Sequence, residues 1–228
     1  DGLVTGVQTC ALPISQTMTV ADHGRVIFDI GQNISGYVRL HVQQKSGDLI
    51  TIRYAEQINP DLSLQLNDMA RFYPSSDFQT DRFICSGEDE TWSPMFTYHG
   101  FRYLEVTGLE HPTPEMVGGV FVHLDVRLTS RFACSDPFVN RLFWIGQMAT
   151  WSNLQHLPTD CPTREKMGWA NDAQASTEQM LTNFDTARFF KKWLVDIVDS
   201  MREDGAIPGI IPTWGWGFDW GTGPVSSG

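Results

Sequence analysis

Gly118–Gln155 reads GGVFVHLDVRLTSRFACSDPFVNRLFWIGQMATWSNLQ, and its hydrophobic period changes part-way along. The first third is a short run rich in Val and Phe, of the kind that forms a strand. From Phe138 onward the apolar residues Phe138, Leu142, Ile145 and Ala149 recur at helical spacing. Ser135 or Asp136 stands where an N-cap belongs, and Pro137 occupies the first helical position, where its missing N–H costs nothing. The chain therefore passes from strands to helices near residue 125.

Upstream of that change the strand pattern repeats. The runs GRVIFDIG, GYVRLHVQ, DLITIRYAEQ, DRFICSG and MFTYHGFRYLEVTG are separated by turn residues, and VRLHV and ITIRY alternate apolar with polar as half-buried strands do. Gly36, Gly47, Gly87, Gly100 and Gly108 punctuate them. This predicts an antiparallel β-sandwich over residues 16–126. Residues 58–76 have no clear period and read as a long loop with a short helix. Downstream, NDAQASTEQMLTNF and DTARFFKKWLVDIVDSMRED predict two more helices, with Asn171 or Asp172 and Asp185 as caps and Gly205 as the stop. Residues 127–133 form a linker, and 134–228 the beginning of a helical domain. The closing stretch is rich in Gly, Pro and Trp and reads as a loop.

Residues 1–15 stand apart. VTGVQTCALPI, Val4 to Ile14, looks like the translation of a sequencing adaptor, so this segment is expected to be an assembly artefact with the native start missing. Composition bounds the rest. The 228 residues are 41% hydrophobic and 12% aromatic, ample for a packed core. A formal net charge of −11 argues against a nucleic-acid backbone or an anionic membrane surface as partner. No apolar run approaches the roughly 18 residues that a helical bilayer span needs. Cys10 falls in the adaptor-like segment, and Cys85, Cys134 and Cys161 are too few and too scattered for a disulfide framework or a zinc site.

The chemistry concentrates in DCPTREKMGWANDAQ, Asp160 to Gln174. Asp160, Arg164, Glu165, Lys166 and Asp172 lie close together, interleaved with Pro162, Gly168 and Trp169, a composition that suits a loop holding carboxylates better than a solvated helix face. Taken alone, such a cluster is more often a structural ion-pair network than an active site. Asp172 could cap the following helix. The aromatic cluster Trp214, Trp216, Phe218 and Trp220 around Asp219 could pack inside a helical domain or face a sugar. His99 and Arg102 read as structural members of the sheet. Cys161 has no histidine placed in sequence to activate it as a nucleophile.

The same stretch resembles the DCPQR…E…LGW…GDAQ signature of bacterial α-L-rhamnosidases, glycoside hydrolase family 78. DIGQNISGYVRLHV, YAEQINPD, QTDRFICSG, FTYHGFRYLEVTG and RFACSDPFVNRLF extend the resemblance over about residues 22 to 220. It implies a β-sandwich followed by the start of an (α/α) six-hairpin barrel, truncated here, and inverting hydrolysis of terminal α-L-rhamnose with neither cofactor nor metal. Glu165 then corresponds to the general acid. Asp160 and Arg164 correspond to positions that bind sugar hydroxyls or orient the acid, and Asp172 to a further site carboxylate; Trp169 could supply an apolar wall for the sugar, and Trp216 and Asp219 of the aromatic cluster are further substrate-binding candidates. Many members read RDERLGW where this chain reads REKMGW, one residue shorter, so the match to Glu165 depends on where the gap falls. The resemblance places the general base downstream of Gly228, so the 228-residue chain by itself is expected to be inactive. Implied partners are rhamnose-containing glycosides or polysaccharides, with a homodimer open for the full-length enzyme, and the compartment stays open between bacterial cytoplasm and periplasm. Two other readings stand beside this one: a non-catalytic carbohydrate-binding sandwich, and another inverting glycosidase on the same kind of barrel.

Overall fold

A computed structural model describes residues 7–14, 17–70, 77–213, 215, 217 and 218. The chain divides into two compact units. The first is built on strands and comprises Thr9–Val122 with Pro162–Arg164; the second carries the helices in His123–Cys161 and Glu165–Gly228, together with Asp1–Gln8.

The elements that precede the long helices are β1 (Val7–Ile14), β2 (Thr17–Val20), β3 (Arg25–Gln43), β4 (Leu49–Ala55), a short α1 (Asn67–Ala70), β5 (Thr80–Ile84), β6 (Asp89–Trp92), β7 (His99–Thr107) and β8 (Val117–Leu124). Hydrogen bonding orders them β1-β8-β3-β7-β4-β5, with β2 and β6 also on β3, and the pairings among β2 to β7 and of β3 with β8 are antiparallel. This is the antiparallel, strand-rich domain that the alternation predicted. On β4, Ile50, Ile52 and Tyr54 are buried while Leu49, Thr51 and Arg53, which alternate with them, are not; on β3, Val38, Leu40 and Val42 are buried and Arg39 and His41 face outward. Each fully buried large side chain, such as Phe28, Tyr54 or Phe101, contributes about 2 kcal/mol of hydrophobic stabilisation.

β3 bends in the middle. Asp29 pairs with Tyr103 on β7, but the next pair on that ladder is Ile34 with Phe101, so β3 carries extra residues at a bulge. The Asp29 carboxylate holds the bulge: Oδ1 accepts the Gly31 N–H at 2.7 Å, and Arg102 donates to both oxygens at 2.8 Å. Burial would raise the Asp29 pKa, but the Arg102 guanidinium and the Gly31 amide outweigh it and hold the carboxyl below its ordinary value. Past the bulge, Gly36 lies so close to β8 that an added Cβ would strike the Val120 carbonyl oxygen.

Two buried polar clusters sit in the strand unit. Glu105 accepts from Arg25 at 3.0 Å and Arg53 at 2.9 Å. His99 lies between Gln79 at 2.9 Å and Asp81 at 3.0 Å and stacks on Tyr54 at a centroid distance of 4.0 Å, while the Tyr54 hydroxyl donates to Asp81 at 2.6 Å. Burial, with the Asp81 carboxylate adding to it, pushes the Tyr54 phenol well above its ordinary pKa.

The adaptor-like residues do carry structure: Val7–Ile14 form β1, hydrogen-bonded to β8. A sheet edge offers unpaired backbone groups that an extended segment of almost any sequence can satisfy.

The helical unit contains α2 (Pro137–Asn153), α3 (Ala170–Asn183) and α4 (Ala187–Ser200). Asp136 caps α2 by accepting the Phe138 N–H at 2.8 Å, with Pro137 first in the helix, as the sequence predicts. The other two caps differ. α3 starts from Trp169, which leaves Asp172 inside the first turn, where a carboxylate favours the helix dipole without capping. α4 starts from Thr186, while Asp185 pairs with Arg127 at 3.4 Å. Gly205 does not end α4, which stops at Ser200; it lies in the turn that follows.

The apolar stripe of α2 also points elsewhere than a core: Phe138, Leu142 and Ile145 are exposed. The unit buries instead Leu124, Val126, Leu154, Met180, Phe184 and Phe189 in one cluster and Leu157, Ala173, Trp193 and Ile211 in another. Among the described residues no helix is long and apolar enough to cross a membrane.

Candidate active site

The loop between α2 and α3 closes on itself. Asp160 N–H donates to the Met167 carbonyl at 3.0 Å, and Met167 N–H donates to Asp160 Oδ1 at 3.0 Å. This pair of bonds ties the two ends of the segment together, and a short polar side chain that can bond a nearby backbone amide is what makes Asp suited to the position. Within the loop Lys166 adopts a left-handed backbone (φ 53°), a conformation uncommon for residues with a Cβ. That reversal brings Glu165 to Trp169, whose indole Nε1–H donates to Glu165 Oε2 at 2.7 Å. Both side chains are half-buried.

The start of α3 is fixed from the other side by an isolated antiparallel bridge, Trp169 opposite Ile210. Its hydrogen bonds run from Ala170 N–H to the Gly209 carbonyl at 2.9 Å and from Ile211 N–H to the Gly168 carbonyl at 2.8 Å. Gly168 is needed for this approach: a Cβ there would collide with the Ile211 carbonyl oxygen and the Trp193 ring. The indole thus stands on a backbone tied at both flanks.

Beside the loop lies a cavity of about 210 Å³ between the end of α2 and the start of α3, lined among others by Asn153, Thr159, Asp160, Asp172 and Ser176. Thr159 Oγ1 donates to Asn153 Oδ1 at 3.0 Å. The lining mixes carboxylates, an amide and hydroxyls, groups that bond sugar hydroxyls well. Among the described residues no His, Cys, Asp and Glu cluster could hold a metal ion.

Of the residues singled out in sequence, Asp160, Glu165 and Trp169 form the closed loop, and Asp172 joins Asp160 in lining the cavity. Arg164 groups with the strand unit, among Pro162–Arg164. There Gly100 lies against Pro162 and Thr163. Trp216 and Asp219 lie outside the described residues. Sequence reasoning missed Asn153, Thr159 and the Gly168–Ile211 pairing. Only the place of Thr159 next to Asp160 hinted at any of them.

Two family models match. Residues 19–123 match the bacterial alpha-L-rhamnosidase concanavalin-like domain, and residues 127–226 match the bacterial alpha-L-rhamnosidase 6 hairpin glycosidase domain. An alpha-L-rhamnosidase of Formosa agariphila is 36% identical over 195 residues, covering 82% of this chain and 20% of the relative. One from Streptomyces avermitilis is 34% identical over 207 residues, 88% of this chain and 19% of the relative. Among solved structures, the Streptomyces avermitilis alpha-L-rhamnosidase complexed with L-rhamnose superposes with a TM-score of 0.85 at 33% identity, over 92% of this chain and 20% of that one. An alpha-L-rhamnosidase from Dictyoglumus thermophilum gives 0.84 at 36% identity, over 94% and 23%. The chain thus spans about a fifth of the length of the curated relatives it matches.

Proposed function

Because the chain belongs to the bacterial α-L-rhamnosidase family, we propose that a protein carrying it hydrolyses terminal α-L-rhamnosides with inversion, and that Glu165 is the general acid. The observation that carries this is the closed loop: Asp160 and Met167 fix its ends, and it presents Glu165 as a half-buried carboxyl bonded, among the described residues, through one oxygen. An inverting glycosidase needs such a group to protonate the leaving oxygen as the C–O bond breaks. A second carboxylate, about 6.5–9.5 Å away, activates a water on the opposite face of the ring. In this reading the second carboxylate lies downstream of Gly228. Asp160, Arg164, Trp169 and Asp172 bind the sugar in this reading, as do Trp216 and Asp219. The support for Asp160 and Asp172 is the polar cavity they line. The 228-residue chain on its own turns nothing over.

Glu165→Gln in the full-length protein tests the assignment. It removes the proton given to the leaving group while keeping shape, so rhamnosides with poor leaving groups should lose about 10²- to 10⁴-fold in rate. A dinitrophenyl rhamnoside, which needs little protonation, should stay much nearer the original rate. Equal losses across the leaving-group series would reject Glu165 as the acid and turn attention to Asp160 and Asp172.

A further inference from the structure

Resting on that reading of Glu165, we propose that Trp169 is a positioning residue for the acid, its indole N–H deciding which carboxyl oxygen carries the transferable proton. The indole nitrogen only donates. Placed 2.7 Å from Glu165 Oε2, it occupies the better acceptor of a protonated carboxyl, the carbonyl-type oxygen. The acidic proton therefore resides on Oε1, and this oxygen faces the leaving group.

The bond serves both ends of the step. In the reaction the proton passes from Oε1 to the glycosidic oxygen, the electron pair of the breaking C–O bond goes to that oxygen, and Glu165 is left as a carboxylate. The N–H that held a neutral oxygen then holds a charged one, and charge-assisted hydrogen bonds are about twice as strong as neutral ones. The interaction grows as negative charge develops, the condition under which a preorganised donor accelerates a step rather than merely binding the ground state.

The surroundings fit this role better than that of a passive wall. An i, i+4 pair in a loop has no helical geometry to bring it together. Here the left-handed Lys166 turns the chain so that the two side chains meet. The donor in turn is immobilised by the bridge of Gly168 to Ile211 and of Ala170 to Gly209 and by the close fit of Gly168 against Trp193.

Two measurements test it. In the 228-residue chain, Trp169→Phe identifies the indole N–H resonance of Trp169 among the eight tryptophans, and Glu165→Ala should move that resonance upfield by removing its acceptor. In the full-length protein, Trp169→Phe keeps an aromatic wall and loses the N–H. Rate on a poor-leaving-group rhamnoside should fall about 10- to 10²-fold, mostly in kcat, with a dinitrophenyl rhamnoside little affected. An indole resonance unmoved by Glu165→Ala overturns the proposal. So does a Trp169→Phe loss that is equal across leaving groups or confined to KM, if Glu165→Gln keeps its leaving-group dependence. Should Glu165→Gln lose that dependence, the acid assignment itself falls and this proposal with it.

Discussion

Gly168→Ala probes how tightly the site loop is held. The glycine is not in the left-handed region, so alanine is permitted by its backbone and the cost comes from contact alone. The new methyl would meet the Ile211 carbonyl oxygen and the Trp193 ring, and Trp193 is 5% exposed and part of the core beneath α3 and α4. Overpacking of this kind costs about 1–3 kcal/mol. Backing the two strands apart to relieve it sacrifices the hydrogen bonds of 2.8 Å and 2.9 Å that form the bridge, at about 1 kcal/mol each. We expect a net loss of about 3 kcal/mol in the helical unit. With a denaturant slope of about 2 kcal/mol per molar, its urea midpoint, followed by the helical far-UV signal, should fall by about 1.5 M. The strand unit should unfold as before, since none of its residues meets the added methyl. A midpoint within about 0.3 M of the parent would refute the claim that this glycine is kept for close approach, and with it the claim that the bridge anchors Trp169.

Asp29→Asn should flatten acid denaturation. The carboxyl is held below its ordinary value of 3.8, so its contribution is complete above that pH and disappears as pH falls through the lowered value; thermal unfolding across the acid range should show a shallower slope in the variant. Tyr54→Phe should act at the other end of the scale. The phenol is raised above 10.0, so the folded state prefers it neutral and loses stability as pH rises past 10.0; urea midpoints in alkaline buffer should decline less in the variant, at a neutral-pH cost of about 1 kcal/mol for the lost bond to Asp81. Gly36→Ala should destabilise the strand unit by about 3 kcal/mol, because the methyl would strike the backbone of β8 and cannot be relieved by a rotamer change; calorimetry of the variant checks it.

Sequence made some of this legible and hid the rest for identifiable reasons. Ile50, Ile52 and Tyr54 alternate with outward residues because period two is a property of the strand itself. Asp136 and Pro137 announced α2 because capping and proline preferences are local. Asp172 and Asp185 looked equally like caps, yet the cap depends on where the backbone leaves helical angles, and there the chain chose Trp169 and Thr186. The stripe of Phe138, Leu142 and Ile145 shows that a helix has an apolar face without saying what meets it, and here that face is exposed. At the site, the carboxylates were visible as residues. The hydrogen bond from Trp169 to Glu165 was not, because it depends on one left-handed backbone at Lys166 and on a strand pairing with Ile210.

The bent strand β3 has a consequence for the order of events when the chain acquires its structure. It pairs with β2, β6, β7 and β8, and it reaches partners that follow it by a few tens of residues and others that follow by more than eighty, such as Val120 opposite Tyr37. Closing such distant pairings costs loop entropy before any contact rewards it. Of the later strands, β6, β7 and β8 all pair with β3, and β3 cannot satisfy both its edges until β7 and β8 have been synthesised. The strand unit should therefore assemble slowly and late, as one cooperative step near the completion of β8 rather than hairpin by hairpin as the chain emerges.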